Sequence, residues 1–287
     1  MHGVRQQDGG SGTLMDLSQA LEMVARTDPG MVRTNNEDSV LANMAGGFAV
    51  LADGMGGYNA GEVASGMTTA LLGTQLELAV KQIPLFQRQS GQLRGEAVLA
   101  QEIARANGAV FQAAQSQPQY AGMGTTLVAA LFGDNRLIAA HIGDSRLYRL
   151  RGSDFQAITR DHSLLQEQID GGIITPEQAR FSQNKNLVTR ALGVEASVEP
   201  EIHVHDVLPG DIYLLCSDGL NDMVPDEDIA MTVQMLAANL SVCADQLIQM
   251  ANDHGGRDNV SVILVKVKQS FPAVGGWWQK VMGWFGE

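Results

Sequence analysis

Two cysteines in 287 residues, Cys216 and Cys243, are too few for a disulfide scaffold, and a reducing cytoplasm is the expected home. No run of about eighteen apolar residues occurs, so no segment is long and apolar enough to cross a bilayer as a helix. The opening "MHGVRQQDGGSGTLMDL" lacks an apolar core and is not a secretory signal. Residues 1–17 read as a flexible leader, with Met15 as an alternative start. Cations are scarce: 19 Lys and Arg stand against 32 Asp and Glu, a net charge of −13. That sign argues against nucleic acid as a partner. It fits plain solubility and carboxylates serving a cation equally well.

What is present reads as runs of strands and runs of helices. "SVLANMAGGFAVLADG" predicts two strands joined at Ala45-Gly46-Gly47. "AGEVASGMTTALLGTQLELAVKQI" has helical apolar spacing and stops before Pro84, and residues 92–116 predict a second helix. "GTTLVAALFGDNRLIAAHIGDSRLYRLRG" holds three strand-like runs split by Gly-Asp-Asn and Gly-Asp turns, an expected antiparallel meander. "DIYLLCSDG" and "NVSVILVKVK" are buried strands, with helices expected near 226–238 and 241–253 between them. "QALEMVARTDPG" is a helix by propensity or a strand by context. The layout is α+β, and it argues against a doubly wound parallel sheet.

Carboxylates recur at the predicted strand ends beside Gly, Ser or Asn: Glu37 and Asp38, Asp53, Asp144, Asp218 with Asp222, and Asp258. One such Asp is an ordinary turn residue. Five sites converging would repel unless a cation neutralised them. An all-oxygen set suits a hard ion such as Mg²⁺ or Mn²⁺. Zinc fits poorly, because the six histidines are scattered and His203 and His205 read as surface residues. Other readings of the glycine loop fail on spacing. Gly56 and Gly61 are followed by Glu62 where a Walker loop needs Lys, and Asn59 stands where a dinucleotide fingerprint needs Gly. Six residues after each cysteine stand Asp222 and Gln249, not the Arg of a cysteine-dependent phosphatase. Ser217 lacks the preceding Gly of a hydrolase elbow.

"RTNNED", "LADGMGGYNAGE", "GMGTTLVAAL", "AHIGDSRLYRLR", "LLCSDGLND" and "GGRDNVSVILV" resemble, in order and spacing, the metal-dependent protein serine/threonine phosphatases of type 2C, the PPM family. The short insert and the Met of "DGMGG" resemble its bacterial branch. The resemblance implies a catalytic domain over residues 18–268 with a flap at about 161–190. It implies a four-layer α-β-β-α sandwich, two antiparallel sheets flanked by helix pairs, with two to three Mn²⁺ or Mg²⁺ at one edge. Asp53 matches the carboxylate bridging two metals, and Gly54 a backbone carbonyl ligand. Asp218 and Asp258 match further ligands of the first metal and Glu37 a ligand of the second. Asp144 and Asp222 match a weaker third site. Asp38 and Asn259 match supporting residues, and Arg33 the arginine that grips substrate phosphate. The implied chemistry is in-line attack on phosphoserine or phosphothreonine by a hydroxide bridging two cations, with no phosphoenzyme. The implied partners are phosphorylated proteins, a bacterial Ser/Thr kinase among them, met by a monomer.

Two departures from the family bear on mechanism. Met55 stands where animal members carry a histidine, which leaves the leaving-group acid unassigned. "DHSLLQEQIDGGIITPEQARFSQNKN" in the flap does not reveal a substrate, and His162 and Ser163 at its start are candidates to touch metal or substrate. A catalytically dead fold that binds phosphoproteins is the alternative, and it would be expected to have lost Asp53, Asp218 or Asp258. Residues 269–287 form a tail with all three tryptophans, and Trp277, Val281, Trp284 and Phe285 share one face if helical. Two readings of the tail stay open: docking on a partner or membrane, and folding back on its own domain.

Overall fold

A computed structural model describes residues 16–57, 59–175, 178 and 187–272. Most of the leader, ten flap positions and the tail beyond Pro272 lie outside the described residues. In chain order the elements are β1 (Leu21–Asp28), β2 (Asp38–Asn43), β3 (Phe48–Met55), α1 (Ala60–Gln82), β4 (Arg88–Gln89), β5 (Gln92–Leu93) and α2 (Arg94–Ser116). Next come β6 (Gly124–Thr125), β7 (Leu127–Gly133), β8 (Arg136–Ile142), β9 (Arg146–Arg151), β10 (Asp154–Ala157) and α3 (Leu164–Asp170). The chain continues with β11 (Glu201–Asp206), β12 (Ile212–Cys216), α4 (Asp218–Asn221), α5 (Asp226–Met235), α6 (Leu240–Asp253) and β13 (Val260–Val267).

Two antiparallel sheets face each other. One runs β1-β13-β12-β9-β10, and the other β11-β8-β7-β3-β2 with β6 beside β3. Between them, Leu51, Val128, Ala130 and Leu137 pack on Leu147, Tyr213, Leu215, Ile263 and Val265. The alternate residues face outward and are buried too. Leu72, Leu76, Leu99 and Ile103 of α1 and α2 cover Val50, Ala129, Ile138 and Ala140. Ile229, Val233 and Leu247 of α5 and α6 cover Leu214, Val262 and Leu264. Burial on both faces explains why the central strands are almost continuously apolar rather than alternating. The four-layer α-β-β-α sandwich is therefore present.

One open alternative is resolved and two local expectations change. "LEMVARTD" is a strand, because eight residues from Leu21 to Asp28 pair with β13 and that ladder overrides helical propensity. The expected meander breaks after two strands. β7 and β8 pair through a hairpin whose Asp134 and Asn135 adopt positive φ, 48° and 53°. β9 then leaves that sheet and pairs with β12 and β10 in the other. The crossing happens at Gly143, whose φ of +100° suits glycine. The last helix pair is shorter at the join, with α5 ending at Met235.

Antiparallel pairing brings the carboxylate-bearing ends to one edge of the sandwich. β2 starts where β3 ends, with Asp38 opposite Asp53. β13 starts where β12 ends, with Val262 opposite Cys216. At the opposite edge Phe271 is buried in the inter-sheet core and donates its N–H to Asn135.

Candidate active site

Asp53 is held through its backbone. Its N–H donates to Thr126 Oγ1 at 3.0 Å, and its C=O accepts from Thr126 N and Thr125 Oγ1, both at 2.8 Å. The side chain is left to the edge of the sandwich. Gly54 follows with its own constraint: a Cβ there would stand 2.1 Å from Gly61 O and 2.6 Å from Glu37 O. Only a residue without a side chain lets β3 lie so close to the start of α1. Close packing thus requires glycine at 54 whatever the carbonyl does.

Asn259 joins the loop before β2 to the start of β13. Its Oδ1 accepts the Glu37 N–H at 2.8 Å, and its Nδ2 donates to Pro29 O at 3.0 Å and Asn35 O at 2.9 Å. That loop carries Arg33, which is exposed and donates from Nη2 to Asp258 Oδ2 at 2.7 Å. Asp38 is buried and accepts from Ser217 Oγ at 2.8 Å through Oδ2. Its Oδ1 is buried with no hydrogen-bond partner. Asp218 opens α4, and Asp222 caps the same turn, donating its N–H to Asp218 O at 2.8 Å.

The carboxylates act on one another. Burial pushes Asp53 well above the usual carboxylate range, and the charges of Asp38, Asp218, Asp144 and Asp258 add to it. Asp218 rises well up for the same reasons, burial first, then Asp144, Asp222, Asp258 and Asp38. Burial raises Asp38 to about 6 although the hydrogen bond from Ser217 opposes it. Asp144 also reaches about 6, by burial and the charges of Asp161 and Asp222. Glu37 is raised by burial although Arg33 opposes it. Arg146 favours ionised Asp144, but its guanidinium is bound to Asp161 at 2.7 Å. The repulsion is largely uncompensated by protein cations, the electrostatics of a site suited to metal. Donors that are all carboxylate oxygens, with Asp53 and Asp218 buried and mutually repelling, fit Mg²⁺ or Mn²⁺.

The structure thus gathers Glu37, Asp38, Asp53, Asp144, Asp218, Asp222 and Asp258 at one edge, with Gly54, Asn259 and Arg33 beside them. Sequence reasoning missed Thr126, Ser145 and Ser217. Ser145 and Ser217 adjoin a motif Asp and Thr126 meets Asp53 only in space, but a lone hydroxyl carries no spacing signal. The histidines were expected to be scattered; His203 is exposed as expected, but two others meet. His141 and His162 are buried and stacked, with ring centroids 4.7 Å apart, beside Glu201. Among the described residues, this trio is the one group with three donor atoms mutually within 4.8 Å. Its hydrogen bonds speak against a cation. His162 Nδ1 accepts the Gly143 N–H at 3.2 Å, so the neutral ring carries its proton on Nε2, the atom facing Glu201. Ser163 caps α3, accepting the Gln166 N–H. Cys216 is buried in β12, and burial pushes its thiol up, away from nucleophilic use.

A family model described as Protein phosphatase 2C matches residues 32–253. The serine/threonine protein phosphatase PstP of Mycobacterium tuberculosis is 41% identical over 247 residues, 86% of this chain and 45% of that protein. This chain therefore spans less than half the length of that relative. The serine/threonine phosphatase stp of Listeria welshimeri is 39% identical over 252 residues, 84% of this chain and 94% of its own length. The crystal structure of the PstP catalytic domain in complex with two manganese ions has a TM-score of 0.75 at 41% identity, covering 87% of this chain and 99% of that one. With the sandwich, the strand-end carboxylates and the matched span in agreement, the chain belongs to the protein phosphatase 2C family.

Proposed function

We propose that this chain is a metal-dependent protein phosphatase that hydrolyses phosphoserine and phosphothreonine on proteins. The observation that carries the reading is the set of mutually repelling carboxylates, with Asp53 and Asp218 pushed far up, beside an exposed arginine. Asp53, Asp218, Asp258, Glu37 and the Gly54 carbonyl would hold two Mn²⁺ or Mg²⁺, and Asp144 with Asp222 a third. Bound there, the ions would acidify a water and offset charge on the phosphate oxygens.

The remaining work falls to the chain itself. Arg33 exchanges Asp258 for the substrate phosphate, which its planar fork matches better than a lysine would. Asn259 keeps the Arg33 loop against β13, and Ser217 holds one oxygen of Asp38. No side-chain nucleophile is required, in keeping with a buried Cys216. Met55 offers no proton to the leaving group, so that proton comes from water or another residue. The substrates are phosphorylated proteins, including a Ser/Thr kinase that the enzyme opposes. The protein acts as a monomer.

The test is phosphate release from a phosphothreonine peptide with Mn²⁺, with Mg²⁺ and with EDTA. Release with metal and none with EDTA is expected. No release from folded protein with either metal would overturn the reading in favour of a phosphoprotein-binding fold. In the same assay Arg33→Ala should raise KM by about tenfold, the scale of one charge-assisted hydrogen bond, with a smaller change in kcat. An unchanged KM would remove Arg33 from that role.

A further inference from the structure

Asp144 sits between two tethered neighbours. On one side Ser145 Oγ bonds Thr126 Oγ1 at 2.7 Å, the same oxygen that accepts the Asp53 N–H. On the other side is Gly143, where a Cβ would stand 2.7 Å from Thr126 Cγ2. Both polar groups of Gly143 go to one residue. His162 donates its backbone N–H to Gly143 O at 2.9 Å and accepts the Gly143 N–H at Nδ1.

The His162 ring is itself held. It stacks on His141, whose Nε2 donates to Arg160 O at 2.8 Å. Its Nε2 lies 3.2 Å from Glu201 Oε1, within ion-pair reach but without the alignment of a hydrogen bond. Glu201 faces His141 across the β11–β8 ladder. Arg190 and His203 approach the same carboxylate at 3.9 and 3.6 Å. The two ends of the flap close at this point, because Thr189 donates to His162 O at 2.8 Å and Leu164 to Leu187 O at 2.9 Å.

We propose that His162 is a positioning residue for Asp144: by gripping both polar groups of Gly143, it aims the Asp144 carboxylate into the cluster and ties that aim to the pairing of His162 with Thr189 and Leu164 with Leu187. Glu201 sets the ring that makes the grip. The inference rests on the phosphatase reading for its kinetic readout alone.

Two substitutions separate positioning from bulk. His162→Asn keeps an acceptor at the place of Nδ1, whereas His162→Gln moves its amide out to the place of Nε2. In the full chain, His162→Gln should raise the Mn²⁺ concentration for half-maximal turnover by about tenfold and His162→Asn by less than about threefold, as outer contacts to a ligand do. Calorimetric Mn²⁺ titration should weaken the lower-affinity binding phase in the same order. The Gly143 amide resonance should shift in His162→Gln and stay near its wild-type position in His162→Asn. If the two variants behave alike in the titration and at Gly143, the proposal is wrong. If the wild-type protein releases no phosphate, the phosphatase reading fails, while the calorimetry and the amide shift still decide the role of His162.

Discussion

Asp53→Asn is expected to remove nearly all Mn²⁺-dependent turnover and to leave the fold standing. Asn keeps the backbone bonds to Thr125 and Thr126 that seat this residue, and it is nearly the same size. It loses one negative charge from a cluster in which Asp38, Asp218, Asp144 and Asp258 all oppose that charge. Without metal the variant is therefore expected to melt at or above the wild-type temperature. Turnover should drop by roughly a thousandfold, as when a preorganised electrostatic group is removed from a catalytic site. Asp218→Asn should do the same, since its carboxylate is pushed up by burial and the same neighbours. The check is a pair of measurements, phosphopeptide hydrolysis with Mn²⁺ and thermal melting in EDTA. Turnover retained in both variants would remove these carboxylates from the metal assignment.

Metal dependence of stability should grow with pH. Asp38 and Asp144 have folded pKa values of about 6, raised from an ordinary 3.8. Between those limits the folded state binds more protons than the unfolded one, so stability falls as pH rises. The two groups together remove on the order of several kcal/mol by neutral pH. His141 works the other way. Burial lowers its pKa, so its contribution to stability rises with pH. The cleaner readout is therefore the increase in Tm on adding Mn²⁺, in which the histidine contribution cancels. Metal competes with the protons on the carboxylates, so that increase should be small at pH 5 and larger by several degrees at pH 7.5, at ~2–4 °C for each kcal/mol in a domain of this size. An equal increase at both pH values would contradict the cluster electrostatics. In Asp53→Asn the pH dependence of the increase should flatten.

The carboxylates were legible one at a time because strand ends announce themselves locally. "VLADG" and "LLCSDG" each run apolar residues into Asp-Gly, and that pattern already says strand, then turn, then an aimed carboxylate. Helix α1 was legible from its apolar spacing and α2 from a run rich in Ala and Gln, each sustained over 23 residues. Short elements were not. β10 has four residues and β4 and β5 two each, too few for a period to appear.

By itself, the sequence determined which strand ends carry carboxylates, because turn and strand preferences act over a few residues. Only tertiary structure decided who meets whom. β1 became a strand when β13 offered it a ladder. β9 left the hairpin sheet to pair with β12, where its Leu147 joins Tyr213 and Leu215 of that strand in the inter-sheet core. Gly143, His162 and Glu201 lie far apart along the chain, and no spacing rule joins them. They meet because burying both faces of two sheets leaves one arrangement of the strands that carry them, and a contact made by that packing has no trace in local sequence.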